Sequence, residues 1–110
     1  MSEGKEKVLV VGAGPVGLVA TASLISSGIP VKLIESTADL ALDLRASTFH
    51  PPTLDFLDKL GIAEDLVNQG LICKNWQFRD RNKGVIASFD LGLLEGETKF
   101  PFRLQCEQWK

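Results

Sequence analysis

The sequence predicts an α/β fold that opens on a βαβ unit with a parallel sheet and continues through a short helical region into a β-hairpin. Three observations carry the prediction. Lys7 to Val11 is a β-branched apolar run that stops at a glycine, and Pro15 then opens an apolar-rich stretch that ends at Gly28. A second apolar run, Val31 to Ile34, closes on Glu35. Strand, turn, helix and strand thus fill about thirty residues, the size of a right-handed βαβ unit.

The first strand, Lys7-Val-Leu-Val-Val11, has the continuous apolar character of a strand buried on both faces of a parallel sheet. Proline at the first helical position and glycine past the last bound a helix from Pro15 to Ser27, with Val16, Leu18, Val19, Ala20, Leu24 and Ile25 as apolar surface. Val31 to Glu35 is the second strand. Ser36 to Thr48 mixes polar and apolar residues and is expected to be loop with at most a turn of helix. Pro51-Pro52-Thr53 starts a helix in which Leu54, Phe56, Leu57 and Leu60 recur at helical spacing before Gly61, and a further helical piece spans Ala63 to Asn68. From Lys74 the period changes to two: Trp76, Phe78 and Asp80 alternate with Gln77 and Arg79, Arg81 to Gly84 turns, and Val85 to Leu91 returns. Phe100 to Leu104 is one more short strand, and Glu107 to Lys110 reads as a helix cut at its first turn. The resulting segments are 1–70 for the first domain portion, 71–104 for the hairpin and strand region, and 105–110 for the start of a helix.

Composition bounds the partners. The chain has 110 residues, 45% of them hydrophobic and 24% charged, with 12 basic against 14 acidic side chains. That is material for one modest core, and the scattered basic residues leave no footprint for nucleic acid. Val8 to Val31 holds no charged residue, yet it is broken by Gly12, Gly14, Pro15, Gly17, Gly28 and Pro30, and Glu3, Lys5, Glu6 and Lys7 ahead of it sum to zero charge. Neither a membrane span nor a secretion signal fits, so a cytoplasmic location is expected. Cys73 and Cys106 have no CxxC spacing and no second histidine to complete a metal set, so both read as free thiols and no metal is expected.

Gly12-Ala13-Gly14-Pro15-Val16-Gly17 matches GxGxxG. The first glycine permits the tight turn off the strand, the second lets a pyrophosphate approach the backbone, and the third lets helix and strand pack closely. The anion would sit on the amides and positive dipole end of the helix that begins near Pro15 and Val16. Glu35 follows 18 positions after Gly17 at the end of the next strand, where a carboxylate accepts hydrogen bonds from ribose hydroxyls and repels the extra phosphate of NADP. A Rossmann-like unit for FAD or NAD is the reading.

Val8 to Glu35, Arg45-Ala46-Ser47, and Phe49-His50-Pro51-Pro52-Thr53-Leu54-Asp55-Phe56-Leu57 with Leu60-Gly61 together resemble the N-terminal portion of the single-component flavoprotein aromatic hydroxylases, the group of p-hydroxybenzoate and phenol hydroxylases. The resemblance implies FAD on the first βαβ unit, reduction by NAD(P)H without a separate nicotinamide fold, and hydroxylation of a small aromatic, phenol-type substrate with O2. It also implies that Arg45 lies along the phosphate and ribityl region of the flavin, a task suited to paired guanidinium donors, and that Gln105 contacts the flavin. The bland readings are a surface ion pair for Arg45 and a helix-start residue for Gln105. Thr21 stands where the extended fingerprint has glycine or alanine, Ser36 where a basic residue is common, and Pro52 where arginine is common.

The family's chain is several times longer, so the fold here is incomplete relative to it and these 110 residues alone are expected to be catalytically inactive. His50 reads as helix-start structure and Trp76, Phe78 and Phe89 as the packed face of a hairpin; no catalytic acid, base or nucleophile is assigned. Two other readings are a non-catalytic FAD- or NAD-binding module, self-associating through exposed sheet edges, and a segment of an NAD-dependent dehydrogenase. The dehydrogenase reading leaves Arg45-Ala46-Ser47 and His50-Pro51 without a role.

Overall fold

A computed structural model of the chain describes residues 6–43 and 45–110. The chain divides into two compact units, 1–42 and 43–110.

The first unit is the βαβ element. Strand β1 (Val8–Val11) pairs in parallel with β2 (Val31–Ile34), Val10 opposite Leu33, and helix α1 (Pro15–Ser26) connects them. Hydrogen bonds from Val8 N–H to Pro30 C=O and from Gly12 N–H to Ile34 C=O extend the ladder at both ends. The predicted C-terminal glycine acts as foreseen: Gly28 has φ +75°, its N–H donates to Ile25 C=O, and Ile29 N–H reaches back to Leu24 C=O. These two bonds are the Schellman closure, which satisfies carbonyls the helix end would otherwise orphan. One expectation is corrected. β1 is not buried on both faces, since Leu9 is 56% and Val11 74% exposed. In a two-stranded sheet with one helix, only the face carrying Val10, Val31 and Leu33 is half covered.

The second unit holds the core. Helix α2 (Pro51–Lys59) starts at His50, whose extended backbone makes it the N-cap, and it buries Pro51, Leu54 and Leu57. Phe56 lies off that stripe and is exposed. Gly61, at φ +76°, ends α2 by the same two-bond closure, with Gly61 N–H to Asp58 C=O and Ile62 N–H to Leu57 C=O. Helix α3 is Ala63–Gln69. A three-stranded antiparallel sheet then sets β7 (Arg103–Gln105) between β3 (Thr48–Phe49) and β4 (Leu71–Cys73). Leu54, Leu57, Ala63, Phe100, Phe102, Leu104 and Cys106 form the core, Leu54 and Leu104 being fully buried.

The hairpin is as predicted in place and type, β5 (Asn75–Asp80) against β6 (Gly84–Asp90) with a register shift at Phe78/Arg79. Asp80 holds its turn by accepting from the N–H groups of Asn82 and Lys83, both at 2.8 Å. Trp76, Phe78 and Phe89 share one face in edge and tilted ring contacts, 4.6 Å and 5.5 Å between centroids for the Trp76 pairs. A 3₁₀ turn over Leu91–Leu94 is capped by Asp90.

β3 and β4, on either side of position 70, share β7 as partner, and the two compact units divide at 42/43. Gln105 does not start a helix. It ends β7, with Thr48 and Leu71 as its register partners, and the residues after it make one turn closed by Lys110 N–H to Glu107 C=O.

Candidate cofactor-binding site

Each glycine of the turn has its own physical reason. Gly12 sits at φ +102°, a conformation that a side chain strongly disfavours. Gly17 faces the turn so closely that an added Cβ would lie 1.9 Å from Gly12 O and 3.6 Å from Val10 Cγ1. Gly14 is different: its φ of −71° suits any residue, and an added Cβ would meet nothing within 4 Å. No packing within the described residues calls for glycine there, whereas a ligand brought against the backbone does.

The helix start is prepared for an anion. The first intrahelical bond runs from Leu18 N–H to Gly14 C=O, so the amides of Val16 and Gly17 have no helical partner, and Pro15 has no N–H to satisfy. Gly14 makes no side-chain cap and the first turn carries no acidic residue. The positive end of the dipole is therefore uncompensated by its own helix, as a pyrophosphate site requires.

Glu35 is held to this turn. Its Oε2 accepts from Ala13 N–H at 2.7 Å, while Oε1 accepts from Ser36 N–H at 2.7 Å and Thr37 N–H at 3.0 Å, with both hydroxyls at 3.2 Å. These donors, Ala13 foremost, lower its pKa to about 2, so the carboxylate is charged throughout the physiological range. Ser36, where the resemblance leads one to look for a basic residue, instead supplies two of these donors. Ala13 is a partner that the spacing of the motif does not reveal, because only the folded turn brings its amide to the strand end.

The other two sequence-assigned residues belong to the second unit. Arg45 is exposed, and its Nε donates to Asp43 Oδ2 at 2.9 Å, an ion pair that lowers the Asp43 pKa. Gln105 is half-buried and lines a cavity of about 380 Å³ with Ser47, Gly70, Leu71, Cys106 and Lys110 among its walls. Its Nε2 donates to Ser47 Oγ, and its Oε1 accepts from Thr48 Oγ1 at 3.3 Å. Sequence reasoning assigned no role to these two hydroxyls. The signal was the Arg-Ala-Ser segment itself, but its pairing with residue 105 needed the β3–β7 register. Both thiols are free, Cys106 being buried. Thr21 bears its departure from the fingerprint visibly, since its Oγ1 is buried without a hydrogen-bond partner among the described residues.

The chain is similar to monooxygenases of aromatic rings. It is 34% identical over 106 residues to 6-hydroxy-3-succinoylpyridine 3-monooxygenase of Pseudomonas putida, covering 96% of this chain and 27% of that protein. It is 33% identical to para-nitrophenol 4-monooxygenase of a Pseudomonas species, covering 96% of this chain and 26% of that protein. Among solved structures, p-nitrophenol 4-monooxygenase of Pseudomonas putida superposes with a TM-score of 0.85 at 34% identity, covering 94% of this chain and 26% of that one. The complex of aklavinone-11 hydroxylase with FAD and aklavinone superposes at 0.75 with 26% identity, covering 98% of this chain and 22% of that one. The chain thus spans about a quarter of the length of the relatives it matches. Residues 5–109 match the family model described as the FAD binding domain, and the chain belongs to that family.

Proposed function

We propose that the chain is the FAD-binding segment of a flavin-dependent monooxygenase that hydroxylates a phenol-type aromatic ring with NAD(P)H and O2. The observation that carries the reading is the uncapped, acid-free start of α1 beside Gly14, with open space where a phosphate would approach. Gly12, Gly14 and Gly17 with the amides around Pro15 and Val16 cradle the pyrophosphate, and Glu35, charged and anchored, receives the adenosine ribose. Arg45 lies along the phosphate and ribityl chain and Gln105 contacts the flavin, the two residues being carried over from the family resemblance. When bound, FAD supplies the electron transfer and oxygen activation on which such a hydroxylation depends. The chain's own residues bind and orient it.

The phenol-type substrate is supported by the relatives, two of which take a nitrophenol and a hydroxylated pyridine by name. The hairpin 75–90, with its exposed aromatic face, begins the substrate-side region. The expected setting is the cytoplasm, where NAD(P)H is available; among the described residues no helix is long and apolar enough to cross a membrane. Membership of the FAD family disfavours the dehydrogenase alternative.

The test is titration of the chain with FAD and separately with NAD, followed by flavin fluorescence and heat of binding, alongside Gly14→Val. FAD binding that the substitution abolishes supports the assignment. Binding of NAD alone, or FAD binding indifferent to Gly14→Val, overturns it.

A further inference from the structure

We infer that Ser47, assisted by Thr48, is a positioning residue that sets the side-chain amide of Gln105 for contact with the cofactor; this rests on the reading of Gln105 as a flavin contact. Thr48 and Gln105 are register partners across β3 and β7, and Cys106 N–H donates to Ser47 C=O at 2.7 Å, so Ser47 is fixed beside residue 105 although 58 positions separate them. The side chains then close a small network: Gln105 Nε2 donates to Ser47 Oγ, and Thr48 Oγ1 donates to Gln105 Oε1 at 3.3 Å.

A primary amide has two N–H donors and two acceptor lone pairs. The two hydroxyls use one of each and, because one accepts while the other donates, they distinguish the nitrogen end from the oxygen end. The second N–H and the second lone pair of Gln105 stay available to a ligand in the cavity that Ser47 and Gln105 both line. Ser47 keeps its own O–H as a further donor. A flexible glutamine would spend rotamer freedom on binding, whereas one held from two sides is ordered beforehand. The chemical requirement at position 47 is a hydroxyl, which serine supplies and alanine or glycine would not.

The test combines FAD dissociation constants of the chain with nitrogen-15 NMR of the Gln105 side-chain amide, for the unaltered chain, Ser47→Ala, Ser47→Thr, Gln105→Leu and the double variant Ser47→Ala/Gln105→Leu. Ser47→Ala and Gln105→Leu are each expected to weaken FAD binding about three- to tenfold, the worth of one intramolecular hydrogen bond. Ser47→Thr, which retains the hydroxyl, is expected to stay within about twofold, and the double variant to bind no more weakly than Gln105→Leu. In the unaltered chain the two amide protons of Gln105 are expected to be dispersed, and to collapse toward free-glutamine positions in Ser47→Ala. Additive losses in the double variant, or an averaged Gln105 amide in the unaltered chain, overturn the inference. Wild-type FAD affinity in Gln105→Leu overturns the flavin-contact reading instead, and the NMR arm still decides whether Ser47 holds the amide.

Discussion

Replacing Gly17 with alanine separates the packing glycine of the turn from the phosphate glycine. The added Cβ would lie 1.9 Å from Gly12 O and 3.0 Å from Gly12 C, whereas ordinary contact begins near 3.4 Å. The helix start and the turn must therefore move apart by about 1.5 Å, the difference between 3.4 and 1.9. Both partners are backbone, so no rotamer change relieves the clash, and Gly12 at φ +102° gives the turn little room to rebuild. Overpacking of this kind costs about 3 kcal/mol, and alanine's better helix propensity returns about 1 kcal/mol. The net destabilisation is about 2 kcal/mol, equivalent to roughly 8–16 °C in the melting of a small domain. The assay is hydrogen exchange of the α1 amides in the absence of FAD, with thermal melting followed in parallel. Gly14→Ala is the matched comparison: with open space around it, the apo fold should lose no more than about 1 kcal/mol from the poorer N-cap, while FAD affinity falls. Unchanged α1 protection in Gly17→Ala would refute the packing argument, and unchanged FAD affinity in Gly14→Ala would refute the approach of pyrophosphate over this turn.

Three further outcomes are expected. Glu35 has a folded-state pKa of about 2, below its unfolded value, so its contribution to stability is present above pH 4.5 and is lost as pH falls from there toward 2. Denaturation midpoints of the unaltered chain and Glu35→Gln should accordingly differ at pH 7 and converge near pH 2; an equal gap at both would count against the Ala13 anchor. Thr21→Ala removes a buried hydroxyl that has no partner among the described residues and improves helix propensity, so it should stabilise the first unit by about 1 kcal/mol, seen as slower exchange of α1 amides. Leu104→Ala empties a fully buried site on the central strand β7 and should cost about 2–5 kcal/mol in urea denaturation, whereas truncating exposed Leu93 should change little.

What was legible in the sequence is the part whose forces are local. Pro15 at a helix start, Gly28 and Gly61 at helix ends, and alternation from Trp76 to Asp80 each act through neighbours a few residues away, so α1, α2 and the hairpin fall where their residue types place them. GxGxxG and Glu35 were visible for the same reason, since the turn's demands are conformational and its spacing is set by one helix. The tertiary structure alone decided the second sheet. A strand near Phe100 to Leu104 was legible and forms as β7, but Thr48–Phe49 and Leu71–Cys73 are too short to carry a periodic signal, and they become strands only because β7 satisfies the backbone groups of both. That pairing moved Gln105 from the start of a helix to a strand end and delivered Ser47 and Thr48 to its side chain. Likewise the amide of Ala13 reached Glu35 only when parallel pairing drew the end of β2 alongside the glycine turn. The sequence by itself determined which elements form and which residues can meet a phosphate; long-range hydrogen bonding, which no local pattern encodes, decided which polar side chains are held in place to do so.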